Sequence, residues 1–242
     1  MNRIDKSIYR FIHHKCRSIV LLRRWSDAEA VGLNGQRHRK QIFRDLVNAC
    51  AFDAIVETGT FKGDSAAYMA TTANLPVYTS EVNPRFSLLA RIRLRSLSAV
   101  HFFRGDSREF LQRLPIILED RRRRLFFYLD AHWYADLPLE GELDIISQGW
   151  QSFVIMIDDF QVPGDEGYGY DSYGENQPLT LKRFSGVFQR HRLVPFFPNL
   201  ASGEETGIRR GCVVLAREKE LVDILRHLPS LRKVDMSSIG AQ

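Results

Sequence analysis

Short apolar segments recur through the middle of the chain, and stretches with helical spacing of apolar residues separate them. These segments are predicted strands, at residues 54–56, 76–80, 99–103, 125–129 and 153–157. Strands that alternate with helices indicate an α/β fold with a doubly wound, Rossmann-like parallel sheet. Two later apolar segments, 192–197 and 211–216, are predicted to close the sheet as an antiparallel hairpin.

The N-terminal part of the chain has a pattern of its own. Apolar residues at helical intervals predict an amphipathic helix within 4–22 and one face of a second helix at 42–47. Residues 1–47 hold eleven Lys/Arg and four acids, a charge of +7, in a chain whose formal net charge is +5. We therefore predict a basic helical extension over 1–47 and one domain over 48–242. The extension could touch an anionic membrane surface, nucleic acid or an acidic substrate, or it could pack on the domain or on a second subunit, so a homo-oligomer is also considered.

Length and composition fit one soluble domain. The chain has 242 residues, of which 44% are hydrophobic and 26% charged. No apolar run approaches the roughly 20 residues of a membrane span, and the first residues are too charged for a signal peptide, so a cytoplasmic protein is expected. The three cysteines are odd in number and lack paired spacing, which favours neither disulfides nor a zinc site.

A glycine loop follows the first strand. Its pattern is Glu57-x-Gly59-x-x-x-Gly63, with Thr60 inside it and Ser65 at the start of the next helix. Glycines allow a sharp turn and close approach of a ligand, and a helix start offers free N–H groups to an anion such as a carboxylate. We expect Asp64 and Ser65 to cap this helix. The three-glycine pattern of dinucleotide sites is missing, and a tight turn without a ligand is the alternative.

Acidic residues stand at the carboxyl ends of the next two strands. Glu81 is placed to accept the hydroxyls of a ribose, and Asp106 with Ser107 is suited to the amine and ring nitrogens of a purine. Because ligands of open α/β sheets bind outside these strand ends, the three clusters should line one cleft.

The combination resembles the class I S-adenosylmethionine-dependent methyltransferases over residues 54–216. In that family the three strand ends hold the methionine, ribose and adenine parts of the cofactor. The resemblance implies a cofactor site formed by Glu57, Gly59, Thr60, Gly63, Ser65, Glu81, Asp106, Ser107 and Asp130.

Three more carboxylates, Asp130, Asp158 and Asp159, follow the fourth and fifth strands. Neighbouring carboxylates repel one another unless a positive charge lies among them, and oxygen ligands suit Mg²⁺. Their positions resemble the metal ligands of the metal-dependent O-methyltransferases of the catechol type and of the sugar-modifying type. The alternative is that Asp130 only orients the cofactor while the other two cap a helix or pair with arginine.

His132 stands near the place where the resembling enzymes carry a lysine or a further acid. We assign it, with Asp130, a catalytic role as the base that takes the proton of the acceptor hydroxyl. A small-molecule or glycan acceptor, preferably a sugar, is expected. Its pocket is predicted from Trp133 and from the aromatic residues of a glycine-rich, mobile flap at about 161–177, namely Tyr168, Tyr170 and Tyr173.

Two other interpretations stay open. A nucleic-acid methyltransferase is suggested by arginines at 91, 93, 95 and 121–124, but these are expected on the far side from the strand ends, so the signal for nucleic acid is weak. The second interpretation is a cofactor-binding scaffold without catalysis, or a methyltransferase without metal.

Overall fold

The computed structural model describes residues 31–132, 136–173 and 177–234. Within them the chain forms strands β1 (Ala54–Thr58), β2 (Val77–Glu81), β3 (Val100–Arg104), β4 (Leu125–Leu129), β5 (Phe153–Asp158), β6 (Val194–Pro198), β7 (Cys212–Ala216) and β8 (Leu231–Lys233). The helices are α1 (Arg37–Cys50), α2 (Asp64–Ala73), α3 (Pro84–Arg93), α4 (Ser107–Leu118), α5 (Leu139–Gly149), α6 (Leu181–Arg190) and α7 (Lys219–His227). Two short 3₁₀ turns cover Gly32–Gly35 and Ser202–Glu204.

The strands form one sheet in the order β3-β2-β1-β4-β5-β7-β6-β8. Strands β1 to β5 are parallel, β7 is antiparallel to both β5 and β6, and β8 is added antiparallel to β6. The predicted α/β class, the parallel sheet and the closing antiparallel pair are therefore confirmed. Strands β3 and β8 are the two edges of the sheet.

Helices cover both faces of the sheet, which explains why its central strands are apolar without interruption. All five residues of β4 are buried. Phe126 and Tyr128 belong to the core under α1, α2 and α7, whereas Phe127 and its neighbours belong to the core under α4, α5 and α6. Continuous apolar strands are the pattern expected for a parallel sheet buried on both sides.

Helix α1 belongs to this domain and crosses the boundary predicted at residue 47. Its residues Ile42, Phe43 and Leu46 are buried in the same core as α2 and α7. The amphipathic helix predicted within 4–22 lies outside the described residues. Among the described helices, none has both the length and the apolar character that a membrane span requires.

A buried ion pair ties α1 to the sheet. The Arg39 guanidinium donates to the Asp158 carboxylate at the end of β5, and it also donates to the carbonyl oxygens of Arg210 and Gly211. Both side chains of the pair are 1% exposed. Burial alone would lower the pKa of Arg39, but the neighbouring Asp158 raises that pKa well above its usual value.

The glycine loop after β1 passes directly over the end of β4. Gly59 has a φ of +86°, and a Cβ atom at this position would lie 2.2 Å from the carbonyl oxygen of Asp130. The Gly59 and Thr60 N–H groups both donate to the carbonyl oxygen of Ser80, at 3.0 Å. Only glycine meets both the backbone angle and the close approach at this point.

Removing one partner of the Arg39–Asp158 pair should destabilise the fold strongly, because a buried charge is left without its counter-ion. We expect Arg39→Met and Asp158→Asn each to lower the free energy of unfolding by about 3–5 kcal/mol. The double variant should lose clearly less than the sum of the two, since it buries neither charge. Urea unfolding of the four proteins measures the coupling, and additive losses would contradict the pairing.

Gly59→Ala should also destabilise the chain, by more than about 1 kcal/mol, because both the φ angle and the contact with Asp130 oppose a Cβ atom. Gly186→Ala is the matched control: Gly186 lies inside α6, and a Cβ atom there meets nothing within 4 Å. Thermal unfolding should show a lower midpoint for Gly59→Ala and an equal or higher midpoint for Gly186→Ala.

Candidate active site

The glycine loop positions the start of α2 at the carboxyl edge of the sheet. The N-terminal cap of α2 is Gly63, with a φ of +81° and no capping side chain. The expected caps act elsewhere: Asp64 pairs with Arg93 at 2.6 Å, and the Ser65 hydroxyl accepts from the Leu33 N–H at 3.1 Å. The first turn of α2 therefore lacks a side-chain cap, which suits an anionic ligand group.

Glu57 is buried beneath this loop. The Thr79 hydroxyl donates to its carboxylate at 2.5 Å, and the Thr60 hydroxyl lies 2.5 Å from that of Thr79. Burial raises the pKa of Glu57 to about 8, more than the Thr79 bond lowers it, and the nearby Glu81 and Asp64 carboxylates raise it further. A cationic group bound close to Glu57 would favour its ionised form.

Glu81 stands at the end of β2, where the ribose of the cofactor is expected. Its two oxygens accept from the backbone N–H groups of Phe61 and Asn83, both at 2.7 Å. Burial raises the pKa of Glu81, and these backbone bonds oppose the rise. A carboxylate offers about four acceptor positions, so these bonds fix the orientation of Glu81 and leave acceptor capacity for a ligand hydroxyl group.

Asp106 is more fully engaged than the sequence suggests. It caps α4 by accepting from the Arg108 N–H at 2.8 Å, and it accepts from the Arg108 guanidinium at 2.7 and 3.0 Å. This pairing lowers the pKa of Asp106, and Arg108 also reaches Asp136 at 2.6 Å. A purine amine would therefore compete with Arg108 for this carboxylate. Ser107 beside it is buried at the start of α4.

A carboxyl group that sequence reasoning missed lies beneath this region. Glu142 on α5 is fully buried next to the hydroxyls of Ser107 and Thr58. Burial raises the pKa of Glu142 to about 7, and the two hydroxyls oppose the rise. Glu142 lies at helical spacing from Leu139, Leu143 and Ile146 on the buried face of α5, and this spacing could have predicted that its side chain is buried.

Asp130, His132 and Asp159 form the central cluster of the site. One ligand atom from each lies within 4.8 Å of the others, and His132 Nε2 is 3.9 Å from Asp130 Oδ1. His132 is 2% exposed, and among the described residues neither ring nitrogen has a hydrogen-bond partner. Burial lowers the pKa of His132, which leaves a lone pair for a cation or a proton.

The structure separates the adjacent acids Asp158 and Asp159. Asp159 has a φ of +54°, which turns its side chain toward His132 and into contact with Arg210, whose Nε lies 2.7 Å from Asp159 Oδ1. Burial opposes the ionisation of Asp159, but Arg210 and His132 hold its pKa below the usual value.

Asp158 faces the opposite way and does not join the cluster. Besides Arg39, its oxygens accept from the Tyr128 hydroxyl at 2.5 Å, from the Asn34 amide at 3.0 Å and from the Asp159 N–H at 2.6 Å. These four donors occupy the acceptor positions of the carboxylate. The expected set of metal ligands is corrected accordingly: Asp158 is a structural partner of Arg39.

The tyrosines expected to bind the acceptor lie in different environments. The Tyr173 ring lies edge-on to His132 with 5.6 Å between the ring centroids, and its hydroxyl donates to Asp171 at 2.7 Å. Tyr170 is exposed, whereas Tyr168 is buried in the core and donates to the carbonyl oxygen of Leu200, so it cannot line the pocket. Trp133 lies outside the described residues.

The described part of the predicted flap is held by backbone hydrogen bonds. Asp171 donates to Asp159, Gly169 donates to Arg209, and Gly211 and Leu179 donate back to Gly169 and Asp171, all at 2.8–3.0 Å. Arg210 also pairs with Asp171. Over 161–173 the chain therefore forms a hydrogen-bonded wall of the site, and the mobility expected from its glycine content stays a prediction.

Comparison with known proteins identifies the fold. No protein-family model matches the chain, and no curated protein matches it in sequence. Among solved structures, an S-adenosylhomocysteine-bound methyltransferase from Podospora anserina is similar, with a TM-score of 0.55 and 12% identity over 90% of this chain and 99% of that one. An O-methyltransferase from Bacillus cereus, also in complex with S-adenosylhomocysteine, gives a TM-score of 0.53 and 15% identity over 88% and 90%. The chain therefore has the fold of the class I S-adenosylmethionine-dependent methyltransferases.

Proposed function

We propose that the protein transfers a methyl group from S-adenosylmethionine to a hydroxyl group of a small-molecule acceptor. One observation carries this proposal: the glycine loop lies against the end of β4, directly beside the cluster of Asp130, His132 and Asp159. A cofactor held by that loop would present its reactive end to the cluster. The fold alone would not suffice, because one fold serves many chemistries.

The cofactor would be bound along three strand ends. The uncapped start of α2 suits the methionine carboxylate, and the buried Glu57 lies close enough to that loop to balance a positive charge. Glu81, already fixed by two backbone donors, suits the ribose hydroxyls. The sulfonium of the cofactor supplies an activated methyl group, so the protein has chiefly to position two reactants.

The acceptor would meet the cluster of Asp130, His132 and Asp159. Two carboxylate oxygens and one imidazole nitrogen fit a divalent cation that accepts nitrogen, such as Mn²⁺, better than Mg²⁺, which prefers oxygen and water. The unpartnered nitrogens of the buried His132 support this assignment. A cation there would lower the pKa of a bound hydroxyl.

A metal-independent reaction is the second candidate. Arg39 and Arg210 already balance part of the negative charge of Asp158 and Asp159. In that case His132 takes the proton of the acceptor hydroxyl, and Asp130 and Asp159 stabilise the imidazolium that forms. Titration with a divalent metal separates the two candidates.

A sugar is the preferred acceptor. The exposed Tyr170 and the Tyr173 ring beside His132 offer aromatic surface for a ring, and Asp171 offers a carboxylate for hydroxyl groups. The cytoplasmic location and an oligomeric assembly stay predictions.

Binding of S-adenosylhomocysteine should release protons from Glu57. In the free protein this group, with a pKa of about 8, is mostly protonated at pH 6.5–7, and the cationic amino group of the ligand favours its ionised form. Affinity should therefore rise with pH up to about 8, by roughly tenfold from pH 6.5. Calorimetry in buffers of different ionisation heat counts the protons released.

Glu57→Gln should release fewer protons than the wild type, while Glu81→Gln, which removes a second carboxyl of raised pKa in the cleft, serves as the comparison. Equal proton release by the wild type and Glu57→Gln would contradict the role of Glu57. Absence of any binding would contradict the proposed function itself.

Mn²⁺ should bind to the wild type through the cluster, and His132→Ala should weaken this binding by at least about tenfold, since one of three protein ligands is lost. His191→Ala is the matched control. His191 also lies beside an acid, with 2.6 Å between His191 Nε2 and Asp144, but it directly follows α6 and is far from the cluster. Calorimetry or electron paramagnetic resonance measures the bound metal. Equal affinities in the wild type and His132→Ala would contradict a metal site at the cluster and would favour the metal-independent reaction.

A further inference from the structure

A second concave site lies at the amino edge of the parallel strands, opposite the glycine loop. It is a groove of about 850 Å³ formed by residues that precede β1, β4 and β5 and by those that follow α6 and β7. Five arginines line it: Arg122, Arg124, Arg190, Arg192 and Arg217. We refer to this site as the basic groove.

Carboxylates outside the lining pair with three of these arginines: Arg122 with Asp120 at 3.1 Å, Arg124 with Glu220 at 3.1 Å, and Arg190 with Glu140 and Asp144 at 3.3 and 3.2 Å. The two carboxylates of the lining, Asp53 and Glu218, accept from the Arg124 N–H at 2.7 Å and from the Ser152 hydroxyl at 2.5 Å. Among the described residues, Arg192 and Arg217 are therefore the arginines of the lining without a carboxylate partner. Two such guanidinium groups in one concave site attract an anion.

Arg192 and Arg217 are the arginines best placed to bind an anion. Arg192 is exposed at a φ of +57°, and its side chain makes no hydrogen bond or ion pair with the described part of the chain. Arg217 donates to the carbonyl oxygen of Trp150 at 2.5 Å and lies over the Phe153 ring, 5.0 Å from its centroid. Burial lowers the pKa of Arg217, and no carboxylate opposes that effect.

Arg192 and Arg217, which have no carboxylate partner in the described part of the chain, suit a phosphate ligand. Guanidinium groups bind phosphate oxygens through paired hydrogen bonds, and the volume is that of a small-molecule site. The described residues of the lining include no Phe, Tyr or Trp on which a nucleobase could stack, which disfavours single-stranded nucleic acid. We propose that the basic groove binds a small ligand with two or more phosphate groups, at a site separate from the methyltransferase cleft.

Inorganic tripolyphosphate is the probe for this site, with calorimetry at about 50 and about 200 mM salt. The wild type should bind it, more weakly at the higher salt concentration. Arg217→Gln and Arg192→Asn should each weaken binding roughly tenfold. Asparagine is chosen at position 192 because it tolerates a positive φ, so the backbone is kept.

Arg95→Gln is the matched control, since Arg95 is exposed after α3 but outside the groove, and it should bind tripolyphosphate like the wild type. Unchanged melting temperatures and unchanged binding of S-adenosylhomocysteine would show that the groove variants are folded. No binding by the wild type, or equal losses in Arg95→Gln and the groove variants, would overturn the proposal. Tighter binding of a single-stranded RNA of equal charge would overturn the assigned ligand class.

Discussion

The buried pair between Arg39 and Asp158 is the contact on which the arrangement of the site depends. Arg39 comes from α1, Asp158 ends β5, and the same guanidinium holds the backbone before β7. One side chain thus joins helix α1, the last parallel strand β5 and the antiparallel strand β7. Compared with the two separated ions in water, such a buried pair contributes little net stability. It does, however, allow only one relative placement of the elements that supply its donors and acceptors.

This constraint also decides which acids face the cleft. With Asp158 satisfied from the side of α1, Asp159 is free to turn toward His132, and Arg210 then bridges Asp159 to Asp171 in the wall of the site. Negative charge at the strand ends is therefore divided among two arginines and the central cluster. The cluster is formed by Asp130, His132 and Asp159, and Asp159 is shared with Arg210. A cation or proton that binds there therefore has less negative charge to balance.

The sheet could be predicted because its signals are local. The apolar segments, the glycine loop and the acids at three strand ends each follow from a few adjacent residues, and the structure differs at strand ends by only one or two positions. Strand β8 was missed because three residues carry no clear pattern. Pairing of Asp158 with an arginine was the alternative interpretation, but Arg39 could not be identified as its partner because it lies 119 positions away.

Neighbouring acids also illustrate the limit of reasoning from spacing. Side chains alternate along a strand, so Asp158 shares the face of Val154 and Met156 and points toward α1, and only the left-handed backbone at Asp159 sends the next carboxylate elsewhere. Tyr168 could not be told from Tyr170 by sequence, since a tyrosine can bury its ring and still satisfy its hydroxyl. Glycine content was equally ambiguous, because the flap backbone finds partners across the site.

The two edge strands have a consequence for assembly. Strand β3 carries an exposed His101 and Arg104, and β8 is only three residues long with Arg232 and Lys233. Short outer strands with basic side chains resist the addition of a strand from another molecule, because like charges would be brought together along the new ladder. The sheet should therefore be protected from growing into a continuous ribbon between molecules.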